Sequence, residues 1–458
     1  MKLTSRQRAV DINRLIPFLV KAPFWFTLVV WSLLPSAKVP WFQIESVPIN
    51  FRDIINIAVA FFYLLVPAIN NHPIKNCSKG WHYYLPVVMI FLLGYAAISC
   101  EWSGLQKRDV LPMLYTLLVA ASAFLFGYNV INKRSPEAIH QFLWSFTVYI
   151  AAISLLYSAT SFLSLGLGGD GDDTASDFGI KRVKGPLYEA STGYFLIVPA
   201  LAFAMQEFLK SSKNRLLKTG VLFSCVLTLF GLGSRAALLI FFFFLMLVIL
   251  FLKNRKQAMI ALGLIIFITT IAGLLFFSKA KTERLQSLED DSRSNTYSAS
   301  FQLIQNRDDS INFFGSGYGS YWPWYIPDVE GVRETNQYFD LVWNIYGQIL
   351  YHPHSTFLLL IVELGIPGLF YFLFLWVILG RLLLSNLWGA EFPIFNCGMF
   401  ASGVSMFFDF FIFKGPQLNS MWWIYFFGAL ALNATGGKSP ITSKNDIMIL
   451  KIKGENEK

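Results

Sequence analysis

The sequence predicts an all-α polytopic membrane protein, with about 12 transmembrane helices and a large, partly helical loop on the external side. Three observations predict this fold class. Hydrophobic residues make up 55% of the chain, charged residues make up 14%, and the mean hydropathy is +0.51. Several windows of about 20 residues carry no charge, which is enough to cross a hydrocarbon core of roughly 30 Å. The net charge of +9 comes from basic residues spread over membrane-flanking loops, which favours positive-inside topology over nucleic-acid binding.

The apolar segments form two groups of predicted spans around one long loop. Nine spans lie within residues 1–278, three lie within 356–435, and a short tail follows at 436–458. The predicted spans are roughly 16–34, 53–69, 82–100, 110–130, 139–160, 190–208, 217–233, 237–252, 258–278, 356–380, 391–413 and 419–435. Alternate loops are richer in Lys and Arg, so we expect both termini in the cytoplasm and the long loop outside.

Two predicted external segments are longer than the loops that usually join membrane helices. The first, at about 161–189, contains an acidic cluster that indicates a solvated loop, since too few ligands follow for a calcium site. The second, at 279–355, carries both signs of charge and many Trp and Tyr residues, and it ends at a histidine pair. A long polar excursion that closes at a helix start indicates a functional site.

The four cysteines, Cys77, Cys100, Cys225 and Cys397, are isolated from one another in the sequence. None has the spacing of a metal site or of a disulfide framework. We therefore expect neither a zinc site nor a structural disulfide.

His354 precedes the tenth span, which contains Gly365, Pro367 and Gly368. A histidine facing water at a helix start can act as a general base. The two glycines and the proline predict a bend or break of this helix near mid-membrane. His352 could take the place of His354, and an ordinary interfacial histidine before a kinked helix fits the spacing equally well.

Two arginines and one carboxylate are further candidates. Arg235 begins an apolar span, where an arginine is costly unless it is paired or faces water, and its planar guanidinium suits phosphate oxygens. Arg293 starts a predicted amphipathic stretch of the long loop. The alternatives are a snorkelling Arg235 and a solvated Arg293. Glu363 is an intramembrane carboxylate that we expect to pair with an arginine or with a polar group at the helix break.

A glycine-rich turn at 315–319 lies inside the long loop, and its backbone NH groups could face an anion. The aromatic residues that follow could stack on sugars, or they could form an interfacial aromatic belt. The candidate substrate-binding residues are Arg182, Gly315, Gly317, Tyr318, Trp322, Trp324, His352 and Ser355.

Several of these motifs together resemble one family. His354-Ser355 is followed by nine residues and then by Gly365-x-x-Gly368, and Gly233-Ser-Arg235 precedes a span. With Arg293 and the glycine-rich turn, this pattern resembles the O-antigen ligase family, which also includes O-antigen polymerases and protein O-oligosaccharyltransferases. The resemblance covers roughly residues 180–380.

The resemblance implies an inverting glycosyltransferase at the periplasmic face of the bacterial inner membrane. The implied donor is a glycan on undecaprenyl diphosphate, used without a nucleotide sugar, metal or cofactor. By the same resemblance, Arg235 and Arg293 would hold the diphosphate, and His354 would accept the proton of the attacking hydroxyl. Membrane lipids are the other expected partners.

The acceptor stays open between two substrates. A ligase would use a sugar of the lipid A core, whereas a polymerase would use the end of another lipid-linked repeat. The spacings from Arg182 to Gly193 and from Arg307 to Gly317 look like polymerase patterns, but such patterns also recur by chance.

A transporter or flippase of lipid-linked oligosaccharide is the alternative function. Such a protein should show polar residues spread through several spans. Here the charges concentrate at the predicted external ends of the eighth and tenth spans, which favours the transferase.

Overall fold

The computed structural model describes part of the chain, most of it helical. The described residues are 25–29, 42–44, 47–49, 54–55, 57–62, 84–103, 107–132, 134–162, 193–252, 259–260, 263, 265–267, 269–270, 297, 300–301, 304–305, 307–320, 355–408 and 416–434.

Helices dominate the described residues. They are α1 (Tyr84–Ser99), α2 (Lys107–Asn132), α3 (Pro136–Phe162), α4 (Tyr194–Lys210), α5 (Arg215–Gly231), α6 (Arg235–Phe251), α7 (Asp309–Phe314), α8 (Thr356–Leu384), α9 (Pro393–Val404) and α10 (Pro416–Ala434). Short 3₁₀ turns follow α1, α8 and α9, at Cys100–Trp102, Ser385–Trp388 and Ser405–Phe407.

A small β-hairpin precedes these helices and was not predicted. Strand β1 (Phe42–Ile44) pairs antiparallel with β2 (Val47–Ile49), and Phe42 lies opposite Ile49. Both strands contain aromatic or β-branched residues, which suit a pleated surface. The described residues are therefore helical, as predicted, with one short two-stranded addition.

Four helical stretches in the described part of the chain are long and apolar enough to cross a membrane. They are Tyr84–Trp102, Met113–Ile131, Pro136–Ala159 and Thr356–Trp388, and Arg235–Phe251 is a shorter apolar helix. This pattern supports a helical membrane protein. The full count of 12 spans reaches beyond the described residues and stays a prediction.

Helix α9 is shorter than the span predicted at 391–413. It ends at Val404 and continues as a 3₁₀ turn to Phe407. The hydroxyls of Ser402 and Ser405 donate to the backbone carbonyls of Met399 and Ser402, three residues earlier. Such side-chain bonds compete with the helical backbone pattern, which accounts for the tighter last turn.

Close helix approach is made possible by small residues. Gly398 of α9 lies against Ala202 of α4 so tightly that a Cβ atom there would collide with the alanine methyl. The rings of Phe203 and Phe395 meet nearby, with centroids 5.0 Å apart. Because dispersion drives helix association in lipid, this small-residue contact brings the two antiparallel helices close enough to pack.

A second close pair joins α2 and α10, which run parallel. A Cβ atom on Gly127 would lie 2.5 Å from the Cβ of Trp423. The Trp423 ring also packs edge-on against Phe124, with centroids 4.9 Å apart. Trp422 and Trp423 are fully buried, so α10 is an internal helix rather than a lipid-facing one.

Short connections fix the direction of the central helices. Helices α4, α5 and α6 are joined through 211–214 and 232–234, so α6 runs parallel to α4 and antiparallel to α9. We define the upper end of the molecule as the end where α1 finishes and α6 begins. The lower end is the opposite one, where α4 finishes and α9 begins.

Candidate active site

Helix α8 is broken at Gly365, as its sequence predicts. This residue has φ 58° and ψ −139°, far from helical values and accessible in practice only to glycine. The break divides α8 into a short arm, 356–364, and a long arm, 366–384. The rings of Phe357 and Phe372 lie 5.1 Å apart. In a continuous helix these fifteen residues would span about 22 Å, so the short arm folds back along the long arm.

The short arm begins inside the protein. Ser355 caps it, since its Oγ accepts a hydrogen bond from the Leu358 NH at 3.2 Å. Ser355 is 1% exposed and Thr356 is fully buried. His354 and His352 directly precede this cap and lie outside the described residues. A helix start carries partial positive charge and unpaired NH groups, which favour a negatively charged group nearby.

The glycine-rich turn docks onto the broken end of the short arm. The Ser316 NH donates to the Val362 carbonyl at 3.0 Å, and the Gly317 NH donates to the Glu363 carbonyl at 2.9 Å. These carbonyls stand at the end of the short arm, where a helix leaves its last acceptors without partners. The turn thus supplies the hydrogen bonds that the break removes.

Glycine is required on both sides of this contact. Gly315 has φ +79°, and a Cβ atom on it would collide with the Glu363 carbonyl and lie 2.6 Å from the Gly365 nitrogen. A Cβ atom on Gly365 would lie 2.5 Å from the Gly315 nitrogen. The two backbones therefore approach as closely as their atoms allow.

Tyr318 anchors the same turn between α1 and α2. Its NH donates to Ser99 Oγ at 2.9 Å, and its phenol oxygen lies 2.7 Å from Thr116 Oγ1. The side chain is only 1% exposed. Burial raises the pKa of the Tyr318 phenol well above its usual value, so the group stays neutral.

These contacts correct the predicted role of the turn. The NH groups of Gly315, Gly317 and Tyr318 donate to protein acceptors rather than facing an anion. Tyr318 presents no open face on which a sugar could stack, because its ring is buried. The Gly-x-Gly-x-Gly pattern here serves close backbone approach.

Arg235 is the first residue of α6 and lies at the upper end. Ser234 caps this helix by accepting from the Ala237 NH at 3.5 Å, and Gly233 turns the chain with φ 57°. The arginine is half-buried. Phe243 of α6 meets Phe400 of α9 at 6.4 Å between centroids. Since the helices are antiparallel, Arg235 lies about 12 Å above this contact.

Phe407, at the end of the 3₁₀ turn that follows α9, lies at a similar height, because it follows Phe400 by seven residues. Its ring packs on Phe357 of the short arm, with centroids 5.5 Å apart. Its carbonyl accepts a hydrogen bond from the Tyr297 hydroxyl at 2.5 Å. The 3₁₀ turn after α9 therefore contacts both the short arm and the loop residue Tyr297, at roughly the level of Arg235.

The specific contacts of Arg307 and Glu363 at the upper end were not predicted from the sequence. The Arg307 guanidinium donates to the Val362 carbonyl at 3.0 Å, so this arginine contributes to capping the short arm. Glu363 is 1% exposed and lies close enough to Tyr318 to influence its ionisation. Ser99 and Thr116 were missed altogether, since a polar residue in a long apolar run gives no hint of its distant partner.

The remaining predicted site residues lie outside the described residues. They are Arg182, Arg293, Trp322, Trp324, His352 and His354. Within the described part of the chain, no group of three or more His, Cys, Asp or Glu residues is placed to hold a metal ion.

Taken together, the fold and this end of it define a helical membrane protein whose long loop docks on a broken helix. Residues 220–373 match the family model described as O-antigen ligase. The matched segment is similar to this family, and it contains Arg235, the glycine turn and the short arm. Comparison with curated proteins gives no match.

Proposed function

We propose that this protein is an inverting glycosyltransferase of the bacterial inner membrane, with both termini cytoplasmic and its active site on the periplasmic face. It would move a glycan from undecaprenyl diphosphate to a hydroxyl of an acceptor sugar. The observation that carries this proposal is the family match over residues 220–373, which spans Arg235, Arg293 and His354.

Chain connectivity supports a shared site for these three residues. Arg293 precedes Tyr297 by four residues, so their Cα atoms lie within about 14 Å. His354 precedes Phe357 by three residues, which limits that separation to about 11 Å. Tyr297 and Phe357 both contact Phe407, and Arg235 lies at roughly the same height.

The proposed chemistry is a single displacement at the anomeric carbon. The acceptor hydroxyl oxygen attacks this carbon while the bond to the diphosphate oxygen breaks, and the electron pair leaves with the phosphate. His354 takes the hydroxyl proton as general base, with His352 as the alternative. Arg235 and Arg293 stabilise the charge that grows on the leaving diphosphate, so the mechanism needs no metal or cofactor.

Transfer by the purified protein tests this function. The protein in detergent or nanodiscs is given a lipid-linked glycan and either lipid A core or a second lipid-linked repeat. We expect a longer or transferred glycan from wild type and a loss of about 100-fold or more from His354→Ala. His140→Ala is the matched control, because His140 lies at the lower end near Glu207. Equal turnover in wild type and His354→Ala would refute the assigned base, and glycan movement across the bilayer without transfer would favour the transporter.

The acceptor is decided in cells by the polysaccharide ladder after deletion of the gene. Loss of all polymer from the lipid A core would assign ligase activity. Retention of a single capped repeat would assign polymerase activity. Both results are compatible with the transferase proposal and differ only in the hydroxyl that attacks.

A further inference from the structure

The glycine turn and the residues just before it form several hydrogen bonds with the short arm. The Val362 carbonyl accepts from the Ser316 NH and the Ser316 hydroxyl at 3.0 Å each, and from Arg307 at 3.0 Å. The Glu363 carbonyl accepts from Gly317. Four donors from residues 307–317 thus converge on two of the last three carbonyls before Gly365, those of Val362 and Glu363. They replace the hydrogen bonds that a continuous helix would have formed there.

The same segment is fixed at its other side to α1 and α2. The Tyr95 hydroxyl donates to the Phe314 carbonyl at 2.5 Å, and Ser99 accepts from the Tyr318 NH at 2.9 Å. The Tyr318 phenol reaches Thr116 on α2. A continuous series of hydrogen bonds therefore runs from two membrane helices, through residues 307–320, to the short arm.

The short arm also packs against the long arm, through Phe357 on Phe372 and through close approach of Gly368 to the Leu360 carbonyl. Gly365 joins it to the long arm through a non-helical backbone, so helical hydrogen bonding does not set the angle between the arms. The opposite end of the short arm holds Ser355 and is preceded by His354. A change of angle at Gly365 would move this end by several ångströms, since nine helical residues form a lever of about 13 Å.

We propose that residues 307–320 are a positioning element, which holds the short arm so that His354 meets the acceptor hydroxyl. Gly317 and Tyr318 are its positioning residues, and they act through the break rather than by touching substrate. This inference rests on the proposed function insofar as it assigns the base to the end of the short arm. Misplacement of a catalytic group by about 1 Å can lower the rate about 100-fold, so the element would control kcat.

Two variants loosen this element at different points. A Cβ atom in Gly317→Ala would lie 2.7 Å from the Ser103 Cα and collide with the Ser99 carbonyl, which displaces the turn from α1. Tyr318→Phe removes only the hydroxyl near Thr116 and keeps the ring. Gly94→Ala on α1 and Gly380→Ala on the long arm are controls, because a Cβ atom at either position meets nothing within 4 Å.

Hydrogen–deuterium exchange and steady-state kinetics are measured on the full-length protein. In Gly317→Ala we expect faster exchange across 356–364 and unchanged exchange across 366–384. We expect kcat to fall by about 10-fold or more at a donor KM within about twofold of wild type. Tyr318→Phe should show the same pattern to a smaller degree and with an unchanged melting temperature, and both controls should match wild type.

Two results would overturn the inference. One is unchanged exchange across 356–364 in both variants. The other is faster exchange with wild-type kcat, which would leave the turn a purely structural contact. Failure of the wild-type protein to transfer glycan is a separate result that refutes the proposed function, because the exchange measurement does not depend on glycan transfer.

Discussion

The upper and lower ends of the molecule hold their helices together by different means. At the lower end, side chains pair directly: His140 Nε2 lies 2.7 Å from Glu207 Oε1, and Lys210 Nζ lies 2.9 Å from Glu391 Oε1. At the upper end, backbone NH groups of the glycine turn also bond directly to backbone carbonyls of the short arm. Side-chain pairs at the lower end tolerate adjustment, whereas backbone contacts at the upper end fix one geometry.

Buried amides extend the lower-end contacts. Asn396 donates to Asn386 at 3.0 Å and exchanges hydrogen bonds with Asn433, so the 3₁₀ turn after α8 meets α9 and α10 there. Such networks hold helices in register within a membrane. The comparison shows that side-chain pairs at the lower end hold several helices together, while contacts at the upper end set the position of the short arm.

The largest expected effect separates two arginines at equivalent helix positions. Arg235 begins α6 at the upper end, and Arg215 begins α5 at the lower end. We expect Arg235→Ala to lower kcat/KM for the lipid-linked donor by about 100-fold, because the variant lacks the guanidinium that we propose binds the diphosphate. Arg215→Ala should keep wild-type transfer. Equal losses in both variants, measured by steady-state transfer, would remove the functional contrast between the ends.

A second test compares two glycines with positive φ. Gly365→Ala should lower the free energy of unfolding by about 3 kcal/mol or more, since backbone strain adds to collision with Gly315. Gly389→Ala at the lower end should cost about 1 kcal/mol, because its φ is +86° but a Cβ atom there meets nothing within 4 Å. Denaturant unfolding in detergent measures both. Similar costs would mean that the turn does not pack against the break.

A third test removes one lower-end pair. Glu207→Ala should lower the free energy of unfolding by about 1 kcal/mol, because Glu207 is 10% exposed and its partner His140 is 33% exposed. Transfer per folded molecule should stay at the wild-type value. A clear fall in kcat of the fully folded variant would show that the His140–Glu207 pair also influences the geometry of the upper end.

The smallest effect is expected for the exposed ion pair. Lys210 and Glu391 have exposures of 31% and 38%, so Glu391→Gln should change the free energy of unfolding by about 0.5 kcal/mol or less. The difference should shrink further at high salt because the pair is screened. A cost above that of Glu207→Ala would reverse the order and call for a buried role for this pair.

Helix positions were predictable where long uncharged runs leave one arrangement in a membrane. The spans predicted at 82–100, 110–130 and 139–160 lie within about three residues of α1, α2 and α3 at every observed end. The break at Gly365 was equally predictable, since two glycines and a proline occur within four residues.

The contacts of the upper end were not predictable from local sequence. Tyr318 and Ser99 are 219 residues apart, and no periodicity links them. A Gly-x-Gly-x-Gly pattern fits both an anion-binding turn and a close backbone approach, and only the position of α8 distinguishes the two. The direction of the short arm was hidden for a similar reason, because apolar residues line it whether it continues upward or folds back.

The fold-back of the short arm resolves a hydrophobic mismatch. The apolar stretch Thr356–Trp388 has 33 residues. As one straight rod it would measure about 50 Å, well beyond a bilayer core of about 30 Å. The long arm alone measures about 28 Å and fits that thickness without a steep tilt. Topology reporters inserted just before residue 356 and at the break near Gly365 should therefore report the same side of the bilayer. A hydropathy plot, in contrast, counts the whole stretch as one transmembrane span.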